Sequence, residues 1–167
     1  MMNEKMEKVL KQQKQQMDDP RSEDNEDIIQ LVGFIVGEEE FAVPILSIKE
    51  IIKPLDYTRV PKTPDYVLGV FNMRGSVLPL VDLKKKFGMP GTKFNDDTRV
   101  IVLKNENDEQ VGFVIEELSE AIRIKESDIE PAPEGSGKDS LIYGVGKKDG
   151  EKLVTILQVE ALLKRDF

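Results

Sequence analysis

The rhythm of apolar runs from Gln30 onward most constrains this chain: each run is short, rich in valine, isoleucine or leucine, and bounded by turn-forming residues. Residues 31–36 lead through Gly37 into 41–43, which predicts a hairpin. Residues 100–104 lead through a polar stretch, 105–110, into 111–115, a second hairpin. Strands over 118–124, 141–147 and 153–157 complete the set, with a turn over 148–151 between the last two. Strands at such regular spacing point to a sandwich or a barrel. Helices are fewer, predicted over part of 45–52, over 65–73, over 83–87 and over 159–163.

The stretch 63–83 holds the most local information. Pro64 suits the first turn of a helix, Val67, Leu68, Val70 and Phe71 supply its apolar face, and Gly75 provides a left-handed stop. A strand follows from Ser76, with turn or edge character at Pro79. Arg74 falls in the turn and is presented outward, because a guanidinium is not buried unpaired. Two roles are open to it: recognition of a partner, or bonding to nearby carbonyls that ties the turn down. Upstream, Ile45, Ile48, Ile51 and Ile52 are too closely spaced for one turn to bury all four, and Ile48 is taken as the apolar side chain left for a partner, the alternative being that all four are core. Glu50 would then be a charged rim to that spot.

Chemistry is excluded mainly by what is missing. The 167 residues contain no histidine and no cysteine, which removes the usual general base, the thiol nucleophile, disulfides and the commonest metal ligands. Gly144-Val145-Gly146-Lys147-Lys148 echoes a phosphate loop, but Leu141 stands where the first glycine belongs and Lys148 where a hydroxyl belongs. Asn105, Asn107, Glu109 and Glu116 fall at calcium-loop spacing, yet Gln110 replaces the turn glycine, so a hairpin loop fits better. Glu116 and Glu117 are adjacent on a predicted strand and point to opposite faces, which disqualifies them as a catalytic pair. Neither enzyme activity, a cofactor nor a metal is expected. With 24 basic against 32 acidic residues, a net charge of −8 repels phosphate backbones and anionic lipid, so nucleic acid is a poor partner. No run approaches the roughly 20 apolar residues that span a bilayer, and a cytoplasmic protein is expected.

The segment Val-Leu-Gly-Val-Phe-Asn-Met-Arg-Gly-Ser-Val-Leu-Pro-Leu-Val-Asp-Leu, ending at Leu83, resembles the central signature of the CheW family, adaptors that couple bacterial chemoreceptors to the histidine kinase CheA. Phe41-Ala42-Val43, Ile48-Lys49-Glu50-Ile51-Ile52, Thr58-Arg59-Val60-Pro61, Thr98-Arg99-Val100-Ile101-Val102, Val111-Gly112-Phe113-Val114-Ile115 and Ile129-Glu130-Pro131-Ala132-Pro133 agree in the family's order. The resemblance implies a mainly β fold of two intertwined five-stranded SH3-like β-barrels with a few short helices. It further implies a receptor-facing groove at Ile45, Ile48, Glu50, Arg74 and Arg99, and kinase contacts at Val67, Leu68, Gly69, Glu130 and Pro131. The implied partners are the regulatory domain of CheA and the cytoplasmic tip of chemoreceptors, with the isolated chain a monomer. A stand-alone peptide-binding barrel of another signalling pathway is the alternative.

Residues 1–27 differ from the remainder, with lysine and glutamine up to Gln16 and then a run of carboxylates, and are predicted to be a flexible arm ahead of one domain over 28–167. Met2, Met6, Val9, Leu10 and Met17 could line a nascent helix, but so narrow a stripe is marginal alone in water. Truncation of the arm should therefore leave kinase binding intact and lower the thermal midpoint by less than about 4 °C, the shift expected for roughly 1 kcal/mol in a chain of this size. A larger loss in a thermal melt would show that the arm packs on the domain.

Overall fold

A computed structural model describes residues 27–132, 140–148 and 152–164. The predicted arm, apart from Asp27, and residues 149–151 of the turn predicted over 148–151 lie outside the described residues. β1 (Ile28–Val36) and β2 (Glu39–Pro44) form the first expected hairpin. Gly37 and Glu38 between them have φ of 59° and 69°, the two-residue turn whose twist matches that of paired strands. A 3-10 turn at Ile45–Ser47 leads into β3 (Ile48–Ile52), and β4 (Val67–Met73) and β5 (Ser76–Asp82) follow as a hairpin. The first helix, α1 (Leu83–Lys86), is capped by Asp82, whose carboxylate accepts from Lys84 N at 3.2 Å and from Thr92 N at 2.8 Å. β6 (Arg99–Lys104) and β7 (Gln110–Ile115) form the next expected hairpin. β8 (Glu117–Lys125), β9 (Ile129–Pro131), β10 (Ile142–Lys148), β11 (Lys152–Leu157) and α2 (Val159–Leu163) complete the order.

The strands make two sheets. One has six strands in the order β8-β1-β2-β11-β10-β9, the other five in the order β3-β6-β7-β5-β4. The middle of the chain builds the second sheet, and both flanks build the first, which is the intertwining that the resemblance implies. The first sheet exceeds five strands because Ile129–Pro131 add a short edge strand.

Each sheet is apolar on both faces, which explains why runs such as Val100 to Leu103 are unbroken. Ile101, Leu103, Val111, Phe113 and Ile115 join Phe34, Val36, Phe41 and Val43 in a core shared between the sheets. Val100, Val102 and Val114 point the other way, onto Phe71, Met73, Leu78 and Leu80. The first sheet likewise folds over its own small core of Leu31, Ala42, Ile122, Ile124, Val154 and Ile156. At about 1.5–3 kcal/mol for each large apolar side chain taken out of water, the shared core is the dominant stabilising element.

Two predicted helices are corrected. Residues 48–52 are a strand after a three-residue turn, and 67–73 are β4. The spacing of Val67, Leu68, Val70 and Phe71 imitates a helix because β4 carries a bulge between Val67 and Gly69. That irregularity shifts the alternation, so Val67 faces the shared core while Phe71 and Met73 face the second sheet's own core. Glycine is required at 69 because the Thr58 carbonyl passes there: an added Cβ would lie 2.1 Å from Thr58 O. Thr58 and Val70 exchange backbone hydrogen bonds of 2.8 Å at the same point.

Gly112 is a comparable close approach in β7, where a Cβ would meet the Phe71 ring at 2.7 Å. Gly112→Ala should cost about 1–3 kcal/mol through overpacking. Phe71→Leu in the same chain should recover part of that loss in denaturant unfolding, and simply additive losses would show that the ring is not the obstacle.

Candidate functional site

Arg74 and Gly75 are the two residues of the β4–β5 turn, with Met73 paired to Ser76 and φ values of 52° and 87°. Gly75 is left-handed as the sequence predicts, but as half of a tight hairpin turn rather than the end of a helix. Asn72 Oδ1 accepts from Gly75 N at 3.1 Å and stiffens the tip. Arginine in this conformation costs about 1–2 kcal/mol relative to right-handed backbone, strain of the kind held at functional positions.

The Arg74 side chain is 77% exposed and reaches across to Glu50 on β3. Nη2 lies 2.9 Å from Oε1 and Nε 3.3 Å from Oε2, so the guanidinium grips the carboxylate through two bonds. Because β3 and β4 are the two outer strands of their sheet, this fork spans the seam where the backbone ladder stops. The pair lies at the mouth of the second sheet's own core. A bulge at Lys49 sets Glu50 opposite Val102 and Ile52 opposite Val100, on the face opposite to Ile48. Arg74 therefore bonds to a carboxylate on another strand rather than to the carbonyls of its own turn.

Hydrogen bonding from Arg74 holds the Glu50 carboxyl below its ordinary 4.5, against the opposing effect of partial burial, and the charges of Arg74 and Lys49 add to the lowering. The Arg74 guanidinium is raised by the same hydrogen bonding. Both groups are ionised at neutral pH. The site is a fixed dipole on an exposed hairpin tip.

The other sequence candidates are scattered around it. Ile48 is a correction: at 1% exposure it belongs to the shared core, because the bulge at Lys49 leaves Ile48 on the inner face opposite Leu103. The apolar side chain left at the surface of this stretch is Leu46, 42% exposed in the 3-10 turn, and Ile45 beside it is half-buried. Arg99 does not join Glu50 and Arg74; its Nη1 donates to Asp96 O and Thr98 O at 2.7 Å and ties down its own turn. Val67 and Gly69 are buried, which takes both out of any contact surface, while Leu68 is half-buried. Glu130 and Pro131 are exposed on β9, the edge of the other sheet. Val77, just past the hairpin tip, is 65% exposed, although its strand reads in the sequence as uniformly apolar. The echoes of ligand loops resolve into ordinary structure. Gly144 to Lys148 are strand β10, and Asn105 Oδ1 accepts from Asn107 N and Glu109 N to close the β6–β7 hairpin.

Two curled sheets around a shared core, with a charged fork on an exposed hairpin tip and apolar Val77 just past it, define a mainly β module of the scaffold type. The family model for the CheW-like domain matches residues 30–167. The chain is 52% identical to the chemotaxis protein CheW of Helicobacter pylori over 167 residues, 99% of this chain and all of that one. It is 35% identical to CheW of Bacillus subtilis over 138 residues, 81% of this chain and 87% of the other. The solved structure of a scaffolding protein, TtCheW from Thermoanaerobacter tengcongensis, superposes with a TM-score of 0.75 at 28% identity, covering 84% of this chain and 95% of that one. The chain belongs to the CheW family. No helix among the described residues is long and apolar enough to cross a membrane.

The depressed Glu50 carboxyl gives a signed pH dependence. Its folded value is below the unfolded one, so the pair's contribution is present above 4.5 and is lost as pH falls through the lower folded value. Glu50→Gln should lower stability at neutral pH by less than about 1 kcal/mol, the range of exposed pairs. In denaturant titrations at stepped pH, the gap between wild type and variant should close on acidification. A gap that stays constant would show that the pair's charge is not what stabilises.

Proposed function

We propose that this chain is a non-catalytic adaptor of bacterial chemotaxis that couples methyl-accepting receptors to the histidine kinase CheA. The observation that carries the reading is the Glu50–Arg74 fork: an exposed, strained, doubly bonded ion pair on a hairpin tip, whose net contribution to stability is small. Its geometry suits recognition of an amphipathic helical hairpin, with Leu46 and Val77 offering apolar contact and the charges setting register and association rate. Ile45 and Arg99 belong to the same proposed receptor-facing side. Leu68, Glu130 and Pro131 are the proposed kinase contacts that remain at least partly accessible. The protein acts in the cytoplasm and reaches membrane-bound arrays through these partners.

Arg74→Glu should keep the fold, with a thermal midpoint close to that of wild type, and should abolish receptor-dependent kinase activation in a reconstituted mixture. The swap Arg74→Glu with Glu50→Arg re-forms the seam pair with reversed polarity. Activation should stay lost in the swap if the charges face the receptor; recovery would make the pair architectural.

A further inference from the structure

On the second sheet's side of the molecule, a pocket of about 400 Å³ opens between the β3–β4 connection and α1. Val60, Pro61 and Pro64 give it apolar walls, and Arg59 and Lys85 enter it from two separate segments of the chain. One carboxylate, Asp65, also lines it. Arg59 and Lys85 have no ion pair among the described residues, whereas Arg74, Lys84 and Lys148 each hold a carboxylate. In a chain with acidic residues in excess, two cations without ion pairs against the one carboxylate of Asp65 leave this concavity with a net positive lining.

The loop that carries Arg59 is also strained. Lys62 follows Pro61 with φ of 64°, a position in a β-turn that favours glycine, and Thr63 Oγ1 donates to Val60 O at 3.1 Å to hold the turn closed. Lysine in place of glycine puts a further cation on the same loop, outside the pocket lining and likewise without an ion pair among the described residues, at a cost in backbone energy.

We propose that this pocket binds an acidic, extended peptide segment of a partner protein, with carboxylates on Arg59 and Lys85 and the peptide's backbone and apolar atoms against Pro61 and Pro64. A simple anion would satisfy one cation and leave the apolar walls uncovered; a peptide covers both, and its alternating side chains can meet cations supplied by two separate segments. The pocket adjoins Leu68, but the inference does not rest on the adaptor reading.

The test is a titration of the isotope-labelled full chain, followed by amide NMR shifts, with an acetylated, amidated hexapeptide of glutamate and alanine. Its glutamine counterpart and inorganic phosphate are run in parallel. The glutamate peptide should shift residues 59–67 and 84–86 saturably, the glutamine peptide should not, and Arg59→Ala with Lys85→Ala should weaken binding by at least about tenfold. The unbound spectrum of that double variant should match wild type away from the pocket, since neither side chain is in a core. Shifts spread over remote lysines such as Lys104 and Lys152, no saturation, or phosphate saturating the same amides as tightly as the peptide would each overturn the proposal. Neither receptor nor kinase is present, so the result is independent of the adaptor role.

Discussion

The structure depends on one constraint: a sheet that must bury both of its faces. Phe113 and Val114 are neighbours on β7, yet one enters the shared core and the other the second sheet's own core. A sheet in that position has no broad polar face to offer, and neither sheet can cover its inner face without the other. The two are therefore one cooperative unit rather than two domains. Polar function is confined to the places where backbone pairing ends, which are hairpin tips, crossovers and seams.

In each sheet a charged pair joins strands that are not backbone neighbours. In the first sheet, Lys148 on β10 holds Glu120 of β8 at 2.7 Å and also binds Glu40 on β2. In the second, Arg74 holds Glu50. The difference is exposure: the Lys148 side chain is 12% exposed and the Arg74 side chain 77%. Lys148 and Glu40 are sealed into the wall of their sheet, whereas the Arg74 guanidinium stands at the surface.

Hairpins β1–β2 and β6–β7 were legible because turn residues and apolar runs agree there, and Arg74 was legible because a charged residue interrupts an apolar signature. The error at 67–73 came from a bulge: one shifted residue turns a period of two into an apparent helical period, and only the Thr58 carbonyl against Gly69 reveals why. Ile48 was misplaced for the same reason, since the bulge at Lys49 decides which of four isoleucines faces inward. The Glu50–Arg74 contact itself was beyond reading from sequence. It joins the two ends of a strand order, β3-β6-β7-β5-β4, that local spacing does not encode. Exposure at Val77 was missed because a uniformly apolar strand carries no mark of where burial stops, and that of Leu46 because the 3-10 turn that turns it outward was read as part of a longer helix.

The threading of the chain also sets an order of events during synthesis. All strands of the five-stranded sheet lie between β3 and β7, so that sheet can pair as soon as they have left the ribosome. The six-stranded sheet cannot do the same: β1 waits for β8, and Phe41 on β2 waits for Thr155 on β11, its parallel partner far along the chain. Contacts this distant in sequence make closure slow. Until β11 arrives, Phe34, Phe41 and Val43 have only part of their core around them, and the nascent protein is an open-edged hairpin tethered to a sheet whose inner face is still incompletely covered.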